Sequence, residues 1–187
     1  AFEAYLSQGG ANVDVGLGLH GIGQAYLGAE NFGAAIANLD RVVTEFGGCS
    51  CVGQAWLDKA RAQSLTGDSS GARRTYRTFA RALPGDPLAA ESLWRSALLA
   101  RRDNNEAEAA ADFLALADGF PQSERAPSAL YAIGLDAYLK GLFSQAVATY
   151  ERLQTEYPTH RWQAVAYWLG RSFFARNQSS EARNQWQ

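Results

Sequence analysis

Apolar and small residues recur along this 187-residue chain with a helical period nested inside a longer one. Leu130, Ile133, Gly134 and Ala137 fall three and four residues apart, and so do Ala146, Tyr150 and Leu153, the spacing of one stripe on an amphipathic helix. Lys140-Gly141-Leu142 separates the two stripes, so the pattern predicts two helices joined by a tight turn. The same set appears 37 residues earlier as Leu93, Ser96, Ala97, Ala109, Phe113, Leu116 and Pro121. A further step gives Trp56, Lys59, Ala60, Ala72, Tyr76, Phe79 and Pro84, and a third gives Leu19, Ile22, Gly23, Ala35, Leu39, Val42 and Gly47. Forward, with the interval shortened to 36, come Ala166, Leu169, Gly170, Ala182 and Trp186.

Two positions carry only Gly or Ala in all five copies: Gly23, Ala60, Ala97, Gly134, Gly170, and Ala35, Ala72, Ala109, Ala146, Ala182. Four residues beyond the second stands a bulky side chain each time: Leu39, Tyr76, Phe113, Tyr150, Trp186. We expect the small residues, such as Gly134 and Ala146, at the crossing of the two helices of a hairpin, where side-chain bulk would hold the backbones apart. The turn position reads Gly67, Asn104, Gly141 and Asn177, the residues that enter the left-handed conformation most readily; the first copy departs, with Glu30 there and Asn31 next. Pro84, Pro121 and Pro158 close the second helices. A single hairpin cannot bury its apolar faces, so the fold expected is all-α: helical hairpins of about 37 residues stacked in a right-handed superhelix with one continuous core. The expected organisation is one array over 1–187, with 1–10 (Phe2, Tyr5) as the tail of an upstream repeat, complete repeats at 11–47, 48–84, 85–121 and 122–158, and a truncated one at 159–187.

Composition refines this picture. Hydrophobic residues make up 47% and charged ones 19%, as in a folded globular chain, and no apolar run approaches the roughly 20 residues of a membrane span. There is no Met even at position 1, which suggests a processed or excised piece whose export signal could have been removed. The net charge of −2 conceals blocks: −5 over 1–58 (Arg41 against Glu3, Asp14, Glu30, Asp40, Glu45 and Asp58), +6 over 59–102 and −3 over 103–187. Arg73, Arg74, Arg77 and Arg81 fall on neighbouring faces of one second helix and are expected to form a solvated outer surface. An acidic chain overall argues against nucleic acid as a partner.

These positions resemble the tetratricopeptide repeat, whose first helix carries a bulky residue, Leu, Gly and Tyr and whose second carries Ala, an aromatic, Ala and Pro. The fourth copy reads Leu130, Ile133, Gly134, Ala137, Ala146, Tyr150, Leu153, Pro158. The family's Tyr is matched more loosely, by Tyr26, Gln63, Ala100, Ala137 and Phe173, and the interval exceeds the usual 34. The stretch Arg161-Trp162-Gln163-Ala164-Val165-Ala166-Tyr167-Trp168-Leu169-Gly170-Arg171 also resembles the helical superstructure that precedes the catalytic domain of bacterial soluble lytic murein transglycosylases. Similar signatures occur in repeat proteins of the Tol-Pal system and in outer-membrane assembly lipoproteins. The resemblance implies a non-catalytic scaffold of the bacterial periplasm or cell envelope that binds a protein, a peptide or peptidoglycan fragments. Oligomeric state is left open.

No catalytic constellation is legible. The transglycosylase family needs Glu-Ser followed by a Gly-Leu-Met-Gln stretch, and the single Glu-Ser pair, Glu91-Ser92, opens a first helix, where an acid is ordinary. His20 and His160 lack metal-ligand spacing, and Gly16 and Gly18 lack the Lys-Ser/Thr of a phosphate loop, so no metal or cofactor is expected. Cys49 and Cys51 read as two linker thiols, with a redox-labile pair as the alternative. First helices of such repeats line the concave face. Its positions read His20, Leu57, Trp94, Tyr131 and Tyr167, and further along Arg61, Arg101, Tyr138 and Arg171. Trp94, Tyr131, Tyr138, Tyr167, Arg101 and Arg171 are therefore the candidate binding residues, since aromatic faces beside guanidinium groups suit sugars and extended peptides; packing between first helices is the competing role.

Overall fold

The computed structural model describes residues 12–159 and 163–187, so Phe2, Tyr5, His160, Arg161 and Trp162 lie outside the described residues. The described residues form ten α-helices and no strand: α1 Asn12–Gly28, α2 Phe32–Glu45, α3 Val52–Leu65, α4 Ser69–Ala82, α5 Ala89–Arg102, α6 Glu106–Gly119, α7 Ala126–Leu139, α8 Phe143–Glu156, α9 Gln163–Ala175 and α10 Ser179–Trp186. Odd-numbered helices are the first members of hairpins and even-numbered ones the second.

The turns follow from backbone chemistry. Gly67, Gly141, Asn104 and Asn177 all take positive φ, and so does Glu30 at +56°, so the first copy keeps the turn despite its side chain. The N–H three residues past a helix then reaches back, as Leu142 N does to Ala137 O at 2.9 Å. Second helices open on a cap the periodicity alone did not show: Asn31, Asp68 and Asn105, one interval apart, accept from the backbone N–H groups of Ala34, Gly71 and Glu108. The counterparts Leu142 and Gln178 make no such side-chain bond. α4 and α8 are followed by the capping residues Leu83 and Tyr157, each directly before a proline that cannot extend the helix.

The chain divides into two compact units, residues 1–109 and 110–187. In the first, Leu19, Ala35, Leu39, Val42 and Ala55 form one buried cluster, and Leu57, Ala60, Ala72, Tyr76 and Phe79 form another, with Trp56 stacked on Phe79 at 6.2 Å. In the second, Phe113, Leu116, Leu130, Tyr150, Leu153 and Leu169 are at most 2% exposed. Each such side chain contributes about 2–3 kcal/mol of transfer free energy. The small first-helix positions serve the bulky second-helix ones. A Cβ on Gly134 would lie 2.7 Å from the Tyr150 ring and one on Gly23 2.7 Å from Leu39, while one on Gly170 would strike Trp186. The glycine thus faces the bulky side chain of its partner helix, and Ala146 is a separate buried contact of that helix.

Two expectations are corrected. Cys49 and Cys51 are not thiols but a disulfide, because the turn entering α3 brings their Cα atoms to 5.1 Å and folds both into the first core. The arginines of α4 are not a uniformly solvated face either. Arg73 is buried, with Nη1 donating to Asp103 Oδ2 at 2.9 Å, and Arg73 and Arg77 both reach Glu108 at 3.0 Å. Residues 73 and 77 stand one turn apart, so one carboxylate at the start of α6 serves both; Arg74 and Arg81 remain exposed.

Candidate functional site

Within each unit one pair of first helices, α1 and α3 in the first and α7 and α9 in the second, borders a groove lined with chemistry. In the first unit, α1 and α3 present Gln24, Leu27, Gly28, Asp58, Arg61 and Leu65 around a cleft of about 260 Å³. Residues 24, 27 and 28 share one face of α1, and 58, 61 and 65 share one face of α3, as three-and-four spacing dictates. Asp58 is 7% exposed at the base. Its Oδ2 accepts from His20 Nε2 at 3.0 Å and from Gln24 Nε2 at 3.1 Å, and its Oδ1 accepts from Gln54 Nε2 at 2.9 Å. Burial disfavours the ionised carboxyl, but the hydrogen bonds from His20, Gln54 and Gln24 together outweigh it and hold Asp58 below the usual carboxylate range. Arg61 stands exposed at the rim, and Leu57, expected on this face, is instead buried in the second core.

In the second unit, α7 and α9 place aromatic rings in the equivalent groove. Tyr138 lies 4.9 Å from Trp168 and 5.5 Å from Phe143, and Trp168 lies 5.1 Å from Tyr167. Arg171 stands over the Tyr138 ring at 6.0 Å and the Tyr167 ring at 5.9 Å, and its Nη1 donates to the Tyr167 hydroxyl at 3.3 Å. Hydrogen bonding to Tyr138, then the fields of both phenols, raises the Arg171 guanidinium further above its ordinary value. Tyr167 is 46% exposed, and Phe174, one turn beyond Arg171 on the same helix, is 60% exposed.

The six candidates therefore separate. Tyr138, Tyr167 and Arg171 come together. Tyr131 is half-buried and tilts against Tyr150 of its own hairpin at 6.1 Å, which is a packing role. Trp94 and Arg101 lie half-buried on α5 of the first unit. Two groups were missed by reading the repeats one position at a time. Trp168 follows Tyr167 directly, and Asp58 lies 38 residues from His20, one interval plus one. Glu91 pairs with Arg95 at 2.9 Å, and the Ser92 hydroxyl, fully buried, donates to backbone carbonyls of Ala89 and Tyr76, so both have structural partners. Among the described residues no three His, Cys, Asp or Glu side chains are grouped to hold a metal.

A tetratricopeptide-repeat family model matches residues 20–87 and again 57–124, and a second of the same description matches 128–160. No curated protein sequence matches the chain. Among solved structures, MamA aligns over 95% of this chain and 90% of its own with TM-score 0.57 and 15% identity. YrrB, described as a TPR protein with an unusual peptide-binding site, aligns over 99% and 88% with TM-score 0.56 and 12% identity. A tetratricopeptide repeat protein from Parabacteroides merdae aligns over 98% and 68% with TM-score 0.53 and 17% identity. At these identities the likeness is one of fold.

Proposed function

We propose, from the premise that this chain belongs to the tetratricopeptide-repeat family, that it is a non-catalytic scaffold whose helices α7 and α9 hold an extended acidic segment of a protein partner. The observation that carries this is Arg171: its guanidinium is exposed, yet two phenols fix it in place, so a carboxylate meets a donor already oriented. Tyr167 and Phe174 flank it with exposed apolar surface for the neighbouring side chains of the segment. The test is fluorescence titration of the intact chain with a Glu/Asp-rich peptide containing one Phe and with its Gln/Asn counterpart. The acidic peptide binds at least about tenfold more tightly, and Arg171→Gln removes the difference. Equal affinities of the two peptides for the parent chain refute the reading.

A finer reading places the scaffold in the bacterial cell envelope, as the platform of a lytic transglycosylase that contacts peptidoglycan. The Cys49–Cys51 disulfide supports an oxidising compartment, and Tyr167-Trp168-Leu169-Gly170 carries the sequence resemblance. Its test is cosedimentation of the purified chain with peptidoglycan sacculi. Sacculi that retain the chain without releasing soluble muropeptides support the platform role; failure to cosediment refutes contact with the wall and leaves the peptide reading standing.

A further inference from the structure

The cleft between α1 and α3 has a composition unlike that of a peptide groove. At its base is a carboxylate, Asp58, buried and held by three donors. At its rim is Arg61, exposed and with no ion-pair partner among the described residues. The two sit three residues apart on α3, about 4.5 Å along the helix axis. Leu27 and Leu65 form apolar walls, and Gly28 leaves one end open, since a Cβ there would meet nothing within 4 Å. A carboxylate, a free guanidinium and aliphatic walls around about 260 Å³ match one small molecule carrying both charges and an apolar side chain.

We propose that this cleft is a binding site for a free aliphatic α-amino acid, its carboxylate on Arg61, its ammonium on Asp58 and its side chain between Leu27 and Leu65. The hydrogen-bond inventory supports the orientation. Asp58 Oδ1 accepts only from Gln54, so it keeps a lone pair for an incoming N–H donor. Gln24, which supplies one bond to Oδ2, is exposed and can swing aside. A peptide chain end fits less well: an N-terminal residue lacks the adjacent carboxylate, and a C-terminal residue lacks the ammonium. The site is independent of the acidic-peptide reading, which concerns α7 and α9 alone.

The test is two-dimensional amide NMR of the intact chain titrated with L-leucine, leucinamide and N-acetyl-L-leucine. L-Leucine shifts the side-chain amide signals of Gln24 and Gln54 saturably, and each blocked analogue binds at least about tenfold more weakly, because each lacks one of the two charges. Arg61→Gln, at an exposed site, and Gly28→Leu, which adds an isobutyl group at a lining position with open space around it, both abolish the shifts while the rest of the spectrum is retained. Absence of saturable shifts at about 10 mM leucine, equal binding of the three compounds, or unchanged binding by Gly28→Leu overturns the proposal.

Discussion

The groove of Leu27, Asp58 and Arg61 and the groove of Tyr138, Trp168 and Arg171 occupy the same three positions of the repeat, three intervals apart, yet they share only the arginine. In the first, the deep position is a carboxylate and the facing residue a leucine, and an open cleft remains. In the second, both are aromatic, their rings pack 4.9 Å apart, and the guanidinium stands over the Tyr138 ring. The turns, small positions and bulky partners of the two units are interchangeable in kind. What differs is the lining of the first-helix grooves, which the hairpin packing leaves free to vary.

The largest effect is expected where the shared frame is tightest. Gly134→Leu drives a side chain into the Tyr150 ring and costs about 2–3 kcal/mol in urea unfolding, whereas Gly28→Leu, in the open cleft, changes stability by less than about 1 kcal/mol. Similar losses at the two glycines would show that the grooves are packed alike, and the comparison would fail.

Next comes the acid that distinguishes the first groove. Asp58→Ala strands the donors of His20 and Gln54 and costs about 2–3 kcal/mol at neutral pH. Because the folded carboxyl lies below its unfolded value, this stabilisation is present above the unfolded carboxylate pKa of about 3.9 and is lost as pH falls through the folded value. Urea midpoints of the parent and of Asp58→Asn therefore converge in acid. A gap that persists unchanged to about pH 2 would remove Asp58 as an ionised anchor.

A smaller gain is expected in the second unit, whose second helices lack the side-chain caps of Asn31, Asp68 and Asn105. Leu142→Asp supplies the missing acceptor at an exposed site and raises stability by about 1 kcal/mol in thermal melting. The same substitution leaving the midpoint unmoved would mean that α8 is already satisfied by its packing. Smallest is Glu30→Gly, which relieves a non-glycine residue at positive φ and gains about 0.5–1 kcal/mol by the same measurement.

The frame was legible because it repeats. Gly134, Tyr150 and Gly141 could be read against four other copies, and even the deviant Glu30 sat at the position where the backbone must turn. The groove chemistry was legible only in part, because it arises where copies differ. Tyr138, Tyr167 and Arg171 were found from their place on the first-helix face, but Tyr131 sits on that face too and turns inward to Tyr150. The His20–Asp58 bond and the pairing of Arg73 with Asp103 and Glu108 join residues 38, 30 and 35 positions apart, none of them the interval itself, so a one-step comparison passes over them. The disulfide was misread because two cysteines so close in sequence pair only when the turn between them bends suitably, which spacing does not reveal.

The central claim, that the second groove is an oriented receptor for carboxylates, is tested most directly by the salt dependence of acidic-peptide binding to the parent chain and to Arg171→Gln. The parent should bind the Glu/Asp-rich peptide with an affinity that falls as salt rises, and Arg171→Gln should lose about 1–2 kcal/mol of binding and most of that salt sensitivity, with its melting midpoint unchanged. Parent and variant binding the acidic peptide equally at every salt concentration would contradict it.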